Sequence, residues 1–130
     1  MKKIVFFILI LSLSLCARPQ WTNSYEEAQE SALKEKKLIM LMLSREHCQA
    51  CWYMEHIVFK NKDVKALIVD NFIPVYVDVN NDVVPKGFSY IGTPTFYFTD
   101  ESGKQVSNRL DGGANAKDFT QKLNEVLLKK

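Results

Sequence analysis

Residues 38–54 read LIMLMLSREHCQACWYM, which joins an unbroken apolar run to a polar turn and then to a C-x-x-C motif. The six apolar residues of 38–43 are typical of a strand that is buried on both faces of a sheet. The polar turn at 44–47 leads into a stretch in which apolar residues recur at helical spacing. The segment therefore predicts a buried strand followed by a helix, with Cys48 where the helix begins.

The remaining elements follow from apolar periodicity and turn residues on both sides of this segment. In chain order we predict a helix capped by Asn23 or Ser24, the strand 38–43, a helix from Cys48, a helix over about 63–70, a strand over 72–79, a loop over 80–90, a hairpin of strands 95–99 and 105–110 around a turn at 100–103, and a last helix after Asn115. The helical side chains predicted to face the core are Tyr25, Ala28, Ala32, Leu33, Cys51, Met54, Ile57, Val58, Phe59, Phe119, Leu123, Val126 and Leu127. This order predicts the α/β class, with a central mixed β-sheet flanked by helices.

Length and composition indicate one globular domain. The chain has 130 residues, of which 47% are hydrophobic and 25% are charged, values close to those of ordinary folded proteins. The formal net charge is +2, and Lys2 and Lys3 account for both excess charges. Because the rest of the chain is balanced in charge, nothing in the composition favours a nucleic-acid partner or an anionic membrane surface.

Residues 1–17 have the layout of a secretory signal peptide. Two lysines precede an apolar run over 4–15, which is too short to span a bilayer as a helix. Two processing routes remain open, namely cleavage after Ala17 and lipidation of Cys16 in a segment that resembles a lipoprotein box. A retained membrane anchor is a third alternative. We therefore expect residues 18–130 to form a domain that is secreted across the inner membrane into the periplasm.

Export changes the meaning of the C-x-x-C motif. In the periplasm a thiol pair is oxidised unless a partner reduces it. Cys48 lies where unpaired backbone N–H groups and the positive end of the helix dipole favour a thiolate. A thiolate attacks disulfides, and Cys51, one turn later, can displace the mixed disulfide that results. The spacing therefore predicts a redox-active pair that needs an electron partner.

Several features together resemble the thioredoxin fold. They are the buried run 38–43, the motif Cys48-Gln49-Ala50-Cys51 at a helix start, Gly92-Thr93-Pro94 before a strand, and the terminal helix. The resemblance covers nearly all of residues 20–130. Within that superfamily the chain is similar to periplasmic thioredoxin-like proteins related to the C-terminal domain of the transmembrane thiol:disulfide interchange reductase. The residues that carry this likeness are the C-x-A-C motif, Met54-Glu55, Val58-Phe59, Asp63-Val64, and 72–75 leading into 77–79.

The resemblance implies an activity and a set of partners. It implies an exported thiol:disulfide oxidoreductase that reduces protein disulfides without a bound cofactor. Cys48 would be the exposed nucleophile and Cys51 the buried resolving thiol. Pro94 would be a cis proline facing the disulfide, and the backbone of Thr93 would pair with an extended substrate segment. The electron donor would be a membrane thiol reductase, and the substrates would include misoxidised proteins or cytochrome c apoproteins.

Two departures from the thioredoxin pattern concern proton handling. Thioredoxins usually carry a tryptophan where this chain has His47, and a buried aspartate where it has Met42. Glu55 lies four residues after Cys51 on the same helical face, and the related reductase domain has an acid at the matching position. Glu55 is therefore the candidate acceptor of the Cys51 proton. His47 is a candidate for assisting that transfer or for tuning Cys48, because an adjacent imidazolium favours a thiolate.

Other interpretations of these residues stay open at the level of sequence. The cysteine pair can be a purely structural disulfide, although so short a loop stabilises a fold little. Glu55 can be a solvated helix acid and His47 a simple turn residue. Two cysteines and two histidines offer soft ligands for Cu(I) or Zn(II), so a metal-binding or metal-delivery module is the alternative function; they are His47, Cys48, Cys51 and His56. A third alternative is an interaction domain with the same fold and no redox cycle.

Overall fold

The computed structural model of the chain describes residues 19–130. The predicted signal peptide and the candidate lipidation site Cys16 lie outside these residues. The elements in chain order are α1 (Tyr25–Glu35), β1 (Leu38–Ser44), α2 (Gln49–Tyr53), a π-helical turn (Met54–Val58), α3 (Lys62–Asn71), β2 (Phe72–Asp78), β3 (Thr95–Thr99), β4 (Leu110–Asp111) and α4 (Ala116–Leu128). Within the described part of the chain, no helix is both long and apolar enough to cross a membrane.

The four strands form one mixed sheet in the order β2-β1-β3-β4. β1 lies parallel to β2 and antiparallel to β3, and β3 lies antiparallel to β4. β1 therefore has a hydrogen-bonded neighbour on each side, and every residue of it is buried. The predictions of a buried strand over 38–43 and of a central mixed sheet flanked by helices are both confirmed.

Alternate side chains of β1 enter two separate hydrophobic clusters, because successive residues of a strand point to opposite faces. Met40 and Met42 belong to the cluster that also contains Cys51 and buried residues of α3 and α4. Ile39 and Leu41 point to the other face, where they pack with residues of α1. Cys51 therefore packs on the face of the sheet to which Met40 and Met42 point.

Local capping sets where the first and last helices begin. Ser24, rather than Asn23, caps α1, and its hydroxyl accepts a hydrogen bond from the Glu27 N–H at 3.2 Å. Asn115 caps α4 in the same way and accepts from the Asp118 N–H at 2.9 Å. The predicted start of the last helix is thus confirmed.

The helical pattern predicts that Leu33 and Ile57 face the core, and both predictions are wrong. Leu33 is 66% exposed, because a step of one residue along α1 rotates it about 100° away from the stripe that Ala32 continues. Ile57 is 49% exposed, because the helix widens into a π turn after residue 53. The Phe59 N–H there donates to the Met54 carbonyl, five residues back, which moves Phe59 onto the buried face.

The second strand of the predicted hairpin is also largely wrong. The turn at 100–103 forms, but residues 105–110 touch β3 only near their two ends, through Gln105 opposite Thr99 and Leu110 opposite Phe96. Phe96 and Thr99 are three residues apart on β3, whereas their partners Leu110 and Gln105 are five residues apart. The partner segment therefore contains two extra residues that do not pair with β3. The loop predicted over 80–90 contains no helix or strand, as expected.

Candidate active site

Cys48 and Cys51 are joined as a disulfide at the start of α2. Their Cα atoms lie 5.2 Å apart. Cys48 is the N-cap of the helix, with extended backbone angles, and its Sγ accepts a hydrogen bond from the Cys51 N–H at 3.2 Å. Cys48 remains partly exposed, whereas Cys51 is 1% exposed and belongs to the hydrophobic cluster. The pair therefore consists of one partly exposed cysteine and one that the core encloses.

Thr93 lies against the accessible sulfur with both its backbone and its side chain. Cys48 Sγ is 3.4 Å from the Thr93 carbonyl oxygen, and the Thr93 hydroxyl donates to Cys48 Sγ, also at 3.4 Å. The Thr93–Pro94 peptide bond is cis, and the Gly112 N–H donates to the Pro94 carbonyl at 2.8 Å. Gly112 has φ +91°, a conformation that residues with a side chain rarely adopt. Two loops thus meet at the cysteine pair.

Side chains of β3 hold the loop that precedes Pro94. The Thr95 hydroxyl donates to the Gly92 carbonyl at 2.8 Å, and the Tyr97 hydroxyl donates to the Ser89 carbonyl at 2.6 Å. Arg109 donates to the Tyr97 oxygen at 3.0 Å. Burial by itself would raise the pKa of Tyr97, but the hydrogen bonds with Arg109 and Ser89 outweigh it, and the pKa is lowered. The loop is therefore tied to the sheet by a polar network.

Glu55 lines a cleft beside the hydrophobic cluster that contains Cys51. The cleft has a volume of about 500 Å³ and is lined by Pro19, Trp21, Glu55, Phe59, Lys60, Lys65 and Tyr76. Burial raises the pKa of the Glu55 carboxyl, and the charge of His56 and a hydrogen bond with Tyr76 oppose that shift. A carboxyl group with a raised pKa holds a proton closer to neutral pH than an exposed one does.

The two histidines lie on the surface of this region. His47 is exposed and has φ +57°, which turns the chain from β1 towards the helix that begins after Cys48. His56 stacks on Trp52 with ring centroids 4.7 Å apart, and its Nδ1 lies 3.0 Å from the Trp52 carbonyl oxygen. Across residues 19–130, no three His, Cys, Asp or Glu side chains come together in a way that could hold a metal ion. The alternative of a metal centre built from His47, Cys48, Cys51 and His56 is therefore wrong, because these side chains do not form a metal-binding group.

Three features of the site were missed by the sequence analysis. They are the Thr93 hydroxyl at Cys48, the Met54 sulfur, which accepts a hydrogen bond from the Ala114 N–H at 3.4 Å, and Tyr76 in the cleft with Glu55. The first two depend on contacts between segments far apart in the chain. Tyr76 had a signal in the sequence, because it alternates with valines in β2 and so lies on the opposite face of that strand from them.

With the fold and the geometry of the cysteine pair established, comparison with known proteins places the chain. Residues 25–127 match the family model described as a thioredoxin-like domain. The chain belongs to the thioredoxin-like family. Family membership together with the paired cysteines makes it a thioredoxin-like disulfide oxidoreductase.

Relatives of this thioredoxin-like chain include a curated protein and two solved structures. It is 27% identical to the thiol:disulfide interchange protein DsbD of Actinobacillus pleuropneumoniae over 96% of its own length, and it spans 26% of that much longer protein. It is 28% identical to a thioredoxin from Thermus thermophilus, covering 87% of this chain and 90% of that one, with a TM-score of 0.72. It shares the fold of the C-terminal domain of DsbD from Neisseria meningitidis, at 21% identity, coverage of 77% and 90%, and a TM-score of 0.60.

Proposed function

We propose that this chain is an exported thiol:disulfide oxidoreductase that reduces disulfide bonds in protein substrates. The observation that carries the proposal is the pairing of a reachable sulfur with an enclosed one. Cys48 is partly exposed beside Thr93, and Cys51 is buried one helical turn later. A nucleophile must reach the substrate, whereas a resolving thiol acts within the same molecule and need not be exposed.

In the first step the Cys48 thiolate attacks a substrate disulfide. A bond forms between Cys48 Sγ and one substrate sulfur, the substrate S–S bond breaks, and the other substrate sulfur leaves as a thiolate that takes a proton from solvent. The Cys51 N–H and the Thr93 hydroxyl both point to Cys48 Sγ and stabilise its negative charge before the attack.

In the second step Cys51 displaces the substrate from Cys48. The Cys51 thiol gives its proton to the Glu55 carboxylate, and the resulting thiolate attacks Cys48 Sγ. The bond between Cys48 and the substrate breaks, and the second substrate sulfur leaves as a thiolate that takes a proton from solvent. Two electrons pass from the dithiol to the substrate, and the chain is left as the disulfide.

Thr93 and Pro94 supply the surface on which an extended substrate segment pairs. The Thr93 backbone lies beside Cys48, and the network around Tyr97 and Arg109 holds the loop in place. Main-chain hydrogen bonds to such a loop are independent of the partner's sequence, which suits an enzyme that acts on several proteins.

The direction of transfer and the partners complete the proposal. Gln49 and Ala50 carry no charge that would stabilise the Cys48 thiolate, and a less stabilised thiolate makes the dithiol a better reductant. We assign the protein to the periplasm, with a leader that is cleaved after Ala17 or lipidated at Cys16. Its electrons would come from a membrane thiol reductase, and its substrates would be misoxidised proteins or cytochrome c apoproteins.

A trapping experiment tests the two cysteine roles. Cys51→Ser should accumulate a mixed disulfide between Cys48 and a substrate protein, because the resolving thiol is missing, and the adduct should disappear on reduction. Cys48→Ser should trap none. Adducts in equal amounts on both variants would contradict the assignment, and so would full turnover by Cys48→Ser.

A further inference from the structure

Tyr76 lies on the same face of the sheet as the cysteine pair. The register of β1 and β2 places Tyr76 beside Met42 and Asp78 beside Ser44. Met42 belongs to the hydrophobic cluster that contains Cys51, and Tyr76 packs against that cluster from the edge of the sheet. Tyr76 and Glu55 line the same cleft.

Ser44 adds a second hydroxyl to this place. It ends β1, it is completely buried, and its hydroxyl has no hydrogen-bond partner among the described residues. A buried hydroxyl without a partner is unfavourable, so such a group in a folded protein calls for an explanation. Tyr76 pairs with Met42, two residues before Ser44 on the same face of β1, and it lines the same cleft as Glu55. Tyr76 is therefore placed between the strand end that carries Ser44 and the helix that carries Glu55.

The charges around Glu55 and Tyr76 come from several elements. Burial is the largest effect on both groups and raises the pKa of each. The charge of His56 lowers the pKa of Glu55, and the negative charges of Glu55, Asp78 and Asp82 raise the pKa of Tyr76. Two lysines, Lys60 and Lys65, line the same cleft. Because the pKa of Tyr76 is raised above its usual value, Tyr76 stays protonated near neutral pH and can donate its hydroxyl hydrogen to the carboxylate.

We propose that Tyr76, backed by the Ser44 hydroxyl, is a positioning residue that orients the Glu55 carboxylate and sets how readily it accepts the Cys51 proton. The inference rests on the proposed function, because it takes Glu55 as the proton acceptor. The hydroxyl of Tyr76 donates to Glu55 and keeps its own proton throughout. Met42 stands where thioredoxins carry a buried aspartate, so in this chain the carboxyl group comes from the helix and the hydroxyl that holds it comes from the edge strand.

The test compares Tyr76→Phe with Tyr25→Phe as the matched control. Tyr25 is buried, whereas Tyr76 is partly buried, and the Tyr25 hydroxyl contacts the Thr99 hydroxyl at 2.7 Å in the cluster on the other face of the sheet. All variants are made in the full chain with Cys16→Ser, so that the two cysteines of the motif are its only thiols. The first readout is the Glu55 pKa from a ¹³C carboxyl NMR titration. The second is the pH dependence of release of glutathione from its mixed disulfide with Cys48.

A hydrogen bond to a carboxylate favours its charged form, so removing the Tyr76 hydroxyl should raise the Glu55 pKa. We expect a rise of at least about half a pH unit, which is roughly a threefold change in proton affinity. The acid limb of the release rate should move up in pH by the same amount, while the plateau rate stays within about twofold. Ser44→Ala should shift both in the same direction by less, and Tyr25→Phe should shift neither.

Each contrary result identifies what has failed. An unchanged Glu55 titration in Tyr76→Phe overturns the inference without touching the proposed function, and so does an equal shift in Tyr25→Phe. If Glu55→Gln releases glutathione at the wild-type rate across the pH range, the proposed role of Glu55 is wrong. The inference then falls with it, even where Tyr76→Phe shifts the titration.

Discussion

Replacing Thr93 by valine removes one hydroxyl from the redox site while keeping the shape of the side chain. That hydroxyl lies 3.4 Å from Cys48 Sγ. It faces a sulfur that carries negative charge when the pair is reduced and a neutral sulfur when the pair is oxidised, so it stabilises the reduced form more. Hydrogen bonds to charged groups contribute about 1.5–3 kcal/mol. Because this contact is long and its acceptor is sulfur, we expect about 1 kcal/mol.

That difference makes Thr93→Val the stronger reductant. A change of about 1 kcal/mol in a two-electron couple is about 20 mV, or roughly fivefold in the equilibrium constant with glutathione. The reduction potential of Thr93→Val should therefore be more negative than that of the wild type by about that amount. The assay equilibrates the protein with a series of glutathione ratios and counts free thiols by alkylation. Thr120→Val, a matched change on α4, should keep the wild-type potential. A Thr93→Val potential equal to or higher than the wild-type value would refute the reasoning.

Three further variants test other parts of the account. Because burial raises the pKa of Glu55, this residue contributes to stability below the pKa of an unfolded carboxyl, and the contribution is lost as the pH rises through the raised pKa. Glu55→Gln should therefore increase the free energy of unfolding more at about pH 7 than at about pH 4. The reverse order would contradict this. Phe119→Ala, which empties a fully buried position 5.2 Å from the Phe96 ring, should lower that free energy by about 3–5 kcal/mol in urea titrations, and a loss below about 1 kcal/mol would be inconsistent with the packing. Arg109→Gln frees Tyr97 and should lower kcat/KM for a protein disulfide by roughly two- to tenfold while leaving the potential unchanged; a shifted potential would place Arg109 in the redox couple instead.

The parts of the fold that could be predicted are those that local sequence dictates. The unbroken apolar run of β1 can be stable only with both faces covered, and the structure covers both. Asn115 satisfies a free N–H at the start of α4 with its own side chain, so the cap is readable without knowledge of the fold. The same holds for Cys48, because its position at the junction of strand and helix follows from the change in apolar period.

What could not be predicted depends on contacts between distant segments. The exposure of Ile57 follows from a π turn, which a regular helical pattern does not reveal. The partner of β3 leaves the ladder between Gln105 and Leu110, although its sequence is compatible with a continuous strand. The sequence shows that Tyr76 lies on the opposite face of β2 from the valines, but its place in the cleft with Glu55 depends on how the helix packs against the edge strand.

The reduction potential of the cysteine pair tests the central claim, that the chain works as a reductant, most directly. The purified protein is equilibrated with glutathione buffers, and the fraction of disulfide is read by thiol alkylation. The scale runs from about −270 mV for thioredoxin to about −120 mV for a strong periplasmic oxidant. The account predicts a value near the thioredoxin end. A value near −120 mV would contradict the reducing direction, and the absence of any reversible couple would contradict the redox function itself.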